Sequence, residues 1–171
     1  MPDYSWPTAD QRTLIGKRVT RVHPDTGQKS VALTLTEASQ EIEQDGLLGL
    51  ALHPQLLAGS NYVYLYFTYA DTSTPGIVRR GKLRRYTYNP ATATLGEPID
   101  LLTALPVHDD HVSGRLAFGP DDKLYLSVGD QGANFARNAC RPNRAQEIPT
   151  VKEVAAQDWT RFFPLSENPQ A

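Results

Sequence analysis

Titratable side chains cluster in the stretch HDDH at positions 108–111, directly before an apolar segment. His111 is the best candidate for chemistry, because an imidazole exchanges protons near neutral pH and can take a proton from a substrate hydroxyl. A carboxylate close by can orient such a ring and stabilise its charged form, and Asp110 is the adjacent residue. We therefore predict His111 as a general base assisted by Asp110, with a plain surface-loop histidine as the alternative.

The same four residues could instead be a metal site, since imidazole and carboxylate ligands suit zinc or manganese. Four adjacent residues cannot easily turn their side chains toward one ion without a tight loop. No distant third ligand is evident, and Cys140 is the only cysteine. The sequence therefore predicts no metal site in this chain and excludes an internal disulfide.

Two parts of the chain repeat each other at an offset of 66 residues. The matched residues are Leu50, Ala51, Leu52 and Pro54 with Leu116, Ala117, Phe118 and Pro120, and Pro24 and Thr26 with Pro90 and Thr92. A fixed period in a β-rich sequence is typical of a propeller or solenoid. The same offset pairs Gln44 with Asp110 and Asp45 with His111. Both pairs should therefore face one central channel.

Each unit has the pattern of an outer hairpin, a polar inward connection and two inner strands. The outer hairpins fall at 16–35 and 81–102, and the inner strands at 46–52 and 61–70 and within 115–130. Tyr62 to Phe67 and Lys123 to Val128 should be equivalent second strands, with tyrosines and hydrocarbon side chains alternating in the first. We predict an all-β fold, a partial β-propeller of about two to two and a half blades, in which Leu50 and Leu116 face the same blade surface.

Charge and hydropathy exclude several classes of partner. Lys and Arg number 17 against 19 Asp and Glu, so we expect no binding to nucleic acid or to an anionic membrane. The one basic cluster, Arg79, Arg80, Lys82, Arg84 and Arg85, is expected on a solvated outer edge. No apolar run approaches the roughly 20 residues of a membrane span, and no signal peptide follows Met1.

The repeat also suggests how the chain is divided. We predict an irregular N-terminus at 1–15, propeller blades at 16–158 and a divergent tail at 159–171. A short helix is expected from Thr150, with Glu153 at the capping-box position. Because no further outer strand follows, the chain is expected to be a natural truncation, a frameshift product or part of a gene.

The segments EQDGLLGLALHP, RRYTYNPATATLGEPIDLLTALP and DDHVSGRLAFGPDDKLYLSVGDQGAN resemble the soluble pyrroloquinoline quinone (PQQ)-dependent glucose dehydrogenases of the glucose/sorbosone dehydrogenase family. The resemblance implies the N-terminal part of a six-bladed propeller that oxidises an aldose at C1, as in glucose to gluconolactone. It implies that His111 is the general base, taking the proton of the anomeric hydroxyl while hydride passes to the quinone. Asp110 and Gln44 would lie beside the bound sugar.

The resemblance also implies what the chain lacks. The family's PQQ anchors and calcium ligands come from later blades, so the cofactor-binding residues stay unknown and the chain alone should be inactive. An aldose and an electron acceptor are the implied partners, in a periplasmic or secreted protein for which the resemblance implies a homodimer. Two alternatives stay open, a propeller lactonase-like hydrolase and a non-enzymatic binding fragment.

Overall fold

The computed structural model describes residues 17–39, 44–73, 79–107 and 111–129. The regular structure of this part is eight β-strands: β1 (Arg18–Val22), β2 (Lys29–Thr34), β3 (Leu47–Leu52), β4 (Tyr62–Ala70), β5 (Arg79–Asn89), β6 (Thr94–Pro106), β7 (Ser113–Phe118) and β8 (Leu124–Val128). The predicted all-β class is confirmed. No helix among these residues is long and apolar enough to cross a membrane. Asp110, the predicted helix from Thr150 and the two terminal segments lie outside the described residues.

The strands form three antiparallel sheets. The central sheet has four strands in the order β3-β4-β5-β6, so that β3 and β6 are its edges. On the described residues, β1 pairs with β2 in one two-stranded sheet and β7 pairs with β8 in another. The sheets are open, and together they make a partial β-propeller with one complete blade.

The 66-residue offset is reproduced in the pairing of the outer hairpins. Val22 pairs with Lys29 as Tyr88 pairs with Leu95, and Arg18 pairs with Thr34 as Arg84 pairs with Asp100. Both hairpins change register at the same place, directly after Val19 in one and after Arg85 in the other. The β1–β2 hairpin is therefore the structural equivalent of β5–β6.

The inner strands are equivalent as well. β7 begins and ends 66 residues after β3, and Leu50 lies opposite Leu65 as Leu116 lies opposite Leu126. The β7–β8 turn is shorter than the β3–β4 connection and is closed by a hydrogen bond of 2.8 Å from Gly119 N to Lys123 O. The predicted equivalence of the second strands is confirmed.

The two hydrophobic cores lie on opposite faces of the central sheet. Val63, Leu65 and Phe67 of β4 pack with β1 and β2, whereas Tyr64 and Tyr66 point to the other face and pack with β7 and β8. Leu50 packs against the first core and Leu116 belongs to the second. Each therefore faces the sheet that precedes its own in the chain. The predicted orientation of both leucines is confirmed, and the three sheets stack face to face.

The expected position of the basic cluster is wrong. Its strand, β5, lies inside the central sheet between β4 and β6, and Lys82 is buried. The Lys82 ammonium lies 3.2 Å from Glu37 and 3.3 Å from Asp100, and Arg84 bridges the same two carboxylates. An alternating strand pattern does not reveal which neighbours will supply opposite charge, and here Glu37 and β6 supply it.

Candidate functional site

The polar candidates collect at one end of the stacked sheets, which we call the site end and define by Gln44, Asp45, Arg79, His111 and Gly129. The starts of β3, β5 and β7 and the ends of β4 and β8 meet there, because neighbouring strands are antiparallel. The inner strands β3 and β7 also contact each other directly. The repeat therefore brings equivalent loop positions of the two units to one end, as predicted.

His111 is exposed and stands just before β7 in a left-handed backbone conformation, with φ of 48°. Ser113 also has a positive φ, 62°. Left-handed backbone is uncommon for residues other than glycine and persists where the surroundings impose it. The segment is therefore not a regular strand at His111. This is the condition under which neighbouring side chains could turn to one side, although Asp110 lies outside the described residues.

Gly129, directly after β8, supports the His111 backbone. A Cβ atom placed on Gly129 would lie 1.7 Å from the His111 carbonyl oxygen. The amide of Gly129 donates a 3.2 Å hydrogen bond to the carbonyl of Val112. The absence of a side chain at Gly129 thus lets β8 close on the loop that presents His111. The sequence alone did not identify Gly129 as a contact of the His111 loop.

Gln44 reaches the same loop from the preceding unit. Its Oε1 accepts a hydrogen bond of 3.3 Å from the backbone amide of Val112, the residue after His111. The two residues are 68 positions apart in the chain. The structure therefore brings Gln44 and His111 together at the site end. That Gln44 contacts a sugar stays a prediction.

Asp45 has a different environment from the one expected. Its side chain is fully buried, with Oδ2 2.8 Å from Nε of Arg79 and accepting a 3.1 Å hydrogen bond from the hydroxyl of Ser39. The expectation that Asp45 faces an open channel is wrong, although His111 is its equivalent in the repeat. The cause is Arg79 at the start of β5, whose guanidinium compensates a buried carboxylate.

Two glycines set the contact between the inner strands. A Cβ atom on Gly49 of β3 would lie 2.0 Å from the carbonyl oxygen of Gly114 in β7. One on Gly114 would lie 2.6 Å from the Tyr66 ring. Burial raises the pKa of the Tyr66 phenol, so this residue keeps its proton. The glycines were not singled out from the sequence, since a glycine inside a strand pattern signals a close approach without naming its partner.

The described residues do not fit the implied calcium ion or PQQ. No group of three or more His, Cys, Asp or Glu in 17–39, 44–73, 79–107 and 111–129 could hold a metal ion. Four of the five β5 cations face carboxylates of the protein: Arg79 with Asp45, Arg80 with Asp71, and Lys82 and Arg84 with Glu37 and Asp100. The fifth, Arg85, lies over the Tyr62 ring at 4.3 Å from its centroid.

Comparison with known proteins gives the family. The glucose/sorbosone dehydrogenase model matches residues 5–150. Quinoprotein glucose dehydrogenase B of Acinetobacter calcoaceticus is 38% identical over 149 residues, which are 85% of this chain and 31% of that protein. This chain thus spans about a third of the length of that relative.

Solved structures agree on the fold. A protein of Thermus thermophilus described as an oxidoreductase (glucose dehydrogenase) has a TM-score of 0.55 and 30% identity, covering 68% of this chain and 32% of its own. The soluble aldose sugar dehydrogenase of Escherichia coli in its apo form has a TM-score of 0.57 and 19% identity, covering 70% and 33%. At 19% identity the likeness concerns the fold alone. By the extent of the family match and the identity to its relative, the chain belongs to the glucose/sorbosone dehydrogenase family.

Proposed function

We propose that this chain supplies the general base of a quinone-dependent aldose dehydrogenase. The proposal is carried by the environment of His111, which is exposed on a loop with left-handed backbone. Gly129 and Gln44, from two neighbouring sheets, both contact that loop. Membership of the glucose/sorbosone dehydrogenase family supports a sugar as substrate. The name of the Acinetobacter relative, a quinoprotein, supports a quinone as oxidant.

Oxidation of an aldose at C1 to a lactone removes one hydride from carbon and one proton from the hydroxyl. In our proposal the neutral imidazole of His111 accepts that proton, which matches the chemistry of histidine near neutral pH. Asp110 stabilises the imidazolium that forms, and Gln44 lies beside the sugar. The hydride acceptor, PQQ with calcium, is assigned to the rest of a longer protein, because the described residues do not fit either group.

Three further proposals rest on the same resemblance. The chain alone lacks activity, since it keeps the base and has no fitted site for the cofactor among its described residues. The longer protein is periplasmic or secreted and homodimeric. Its partners are an aldose and an electron acceptor.

The test uses a chimera in which this chain replaces the matched third of the Acinetobacter relative. The measurement is sugar-dependent dye reduction with added PQQ and calcium. His111→Ala should lower kcat roughly 10²- to 10⁴-fold, the usual effect of removing a general base, and leave the affinity for PQQ unchanged. Added imidazole should restore part of the lost rate.

His53→Ala is the matched control. His53 follows β3 at the opposite end of the sheet, where its ring lies 5.5 Å from that of Phe118 and its Nδ1 accepts a 3.1 Å hydrogen bond from the Gln55 amide. This variant should keep the kcat of the chimera. Equal kcat in the His111→Ala variant would show that His111 is not the base. Lactone hydrolysis without dye reduction would favour the lactonase-like alternative.

A further inference from the structure

Asp45 and His111 hold equivalent positions in the two repeat units but have different environments. His111 is exposed just before β7, whereas the Asp45 side chain is fully buried just before β3. Oδ2 of Asp45 lies 2.8 Å from Nε of Arg79 and accepts a 3.1 Å hydrogen bond from the Ser39 hydroxyl. One carboxylate therefore ties the segment before β3 to β5 and to the segment that contains Ser39.

Gly46, the residue after Asp45, binds the same segment to β4. Its amide donates a 2.7 Å hydrogen bond to the hydroxyl of Thr68, and its carbonyl accepts one of 2.9 Å from the Thr68 amide. The Thr68 carbonyl accepts a further hydrogen bond of 2.8 Å from the amide of Ser39. All four residues are buried, so water competes little for these bonds. The backbone at Asp45 is thus held by several strands at once.

Gln44, the residue before Asp45, makes the contact with the loop of His111. Its Oε1 accepts the 3.3 Å hydrogen bond from the amide of Val112. Val112 is buried, and its carbonyl accepts the hydrogen bond from Gly129. The place of the Gln44 side chain follows from the backbone that Asp45 fixes, and the loop of His111 depends on that place.

A buried ion pair is a weak source of stability, because the cost of removing two charges from water offsets much of their attraction. A buried carboxylate that loses its cation is costly, however, so the pair disfavours other positions of its segment. We propose that Asp45 and Arg79 are positioning residues for the base. Their ion pair fixes Gln44, which holds the loop of His111 in place. Only the expected effect on rate rests on the proposed function of His111.

The first test is hydrogen exchange at the Val112 amide of the 171-residue chain, which requires no activity. The double variant Asp45→Asn with Arg79→Met removes the ion pair without leaving one charge buried alone, so it should fold. The Val112 amide should exchange about tenfold faster, the scale of one lost hydrogen bond. The amide of Leu65, in the middle of β4, should keep its rate.

Asp71→Asn with Arg80→Met is the matched control. Asp71 directly follows β4, and its Oδ2 lies 3.2 Å from Nε of Arg80, the second residue of β5. This double variant removes an ion pair of the same kind from the neighbouring position and should leave exchange at Val112 unchanged. The proposal is overturned if the first double variant does not accelerate exchange at Val112, accelerates it equally at Leu65, or fails to fold.

The second test is a mutant cycle on the kcat of the chimera. Removing the ion pair should lower kcat about tenfold, less than the roughly hundredfold effect of displacing a reacting group by about 1 Å. After Gln44→Ala the same removal should have no further effect, because the ion pair acts through Gln44. Additive losses would overturn the proposal. Full kcat in His111→Ala would instead refute the proposed function, and exchange at Val112 would still decide whether the ion pair positions the loop.

Discussion

At the scale of single residues, the geometry of His111 depends on a residue that does no chemistry. Gly129 leaves the space that the His111 carbonyl occupies, so a methyl group there must push the loop away. We expect Gly129→Ala to lower kcat of the chimera about 10²-fold, the effect of displacing a reacting group by about 1 Å. The dye-reduction assay measures it, with the thermal midpoint of unfolding recorded beside it.

Gly96→Ala is the control for this prediction. A Cβ atom on Gly96, which lies in β6, would meet nothing within 4 Å, and the φ of Gly96 is not in the left-handed region. The substitution should leave kcat unchanged. If both variants lose activity equally, or Gly129→Ala keeps full activity, the His111 loop is not positioned by this contact.

The carboxylate of Asp100 gives a prediction about pH. Partial burial raises its pKa, but the hydrogen bond from Arg84 and the charges of Lys82 and Arg84 lower it more, so the pKa lies below the ordinary 3.8. A carboxylate with a lowered folded-state pKa stabilises the fold above the unfolded-state pKa, and this stabilisation is lost as pH falls through the folded-state pKa.

The free energy of unfolding in urea should therefore decline as pH falls below about 3.8. Asp100→Asn should be less stable at pH 7 and show a shallower decline in that range. Asp25→Asn, in the exposed turn between β1 and β2, serves as the control and should follow the unmodified chain. An Asp100→Asn variant with the full acid-induced decline would show that other carboxylates cause it.

At the scale of elements, the two outer hairpins use the same turn with different residues. Gly27 has φ of 67° and its equivalent Ala93 has φ of 56°. Left-handed backbone costs a residue other than glycine roughly 1–2 kcal/mol, and nothing lies within 4 Å of a Cβ on Gly27. We expect Gly27→Ala to lower the free energy of unfolding by about 1 kcal/mol.

Ala93→Gly is the reciprocal change and should raise the free energy of unfolding. The gain should be smaller, about 0.5 kcal/mol, since Ala93 packs partly against the first core and glycine adds chain entropy to the unfolded state. Urea titration of both variants measures the pair. A shift of the same sign in both would show that turn conformation does not control these hairpins.

Structure formed by residues that are near each other in the chain can be predicted from this sequence. Contacts between residues of separate strands cannot. The hairpins and the alternation in β4 are local, so the 66-residue offset and the period of two predict them correctly. The ion pair of Asp45 with Arg79, the approach of Gly49 to Gly114 and the internal place of β5 depend on how separate strands assemble. A periodic pattern carries no information on those contacts. The expectations for Asp45 and for the basic cluster were wrong because they did not include them.

At the scale of the whole molecule, three stacked sheets present one exposed histidine loop at the site end, while Arg79, Arg80, Lys82 and Arg84 of β5 lie against carboxylates of the protein. We propose that this chain carries the base of a sugar dehydrogenase and that its described residues hold no site for the cofactor.

The most direct measurement is sugar-dependent dye reduction by the 171-residue chain, with PQQ and calcium added, beside the chimera under the same conditions. We predict no rate above that of buffer for the chain alone and a rate that depends on His111 for the chimera. Activity of the chain alone within about a hundredfold of the chimera, the scale on which loss of a single general base is felt, would contradict it.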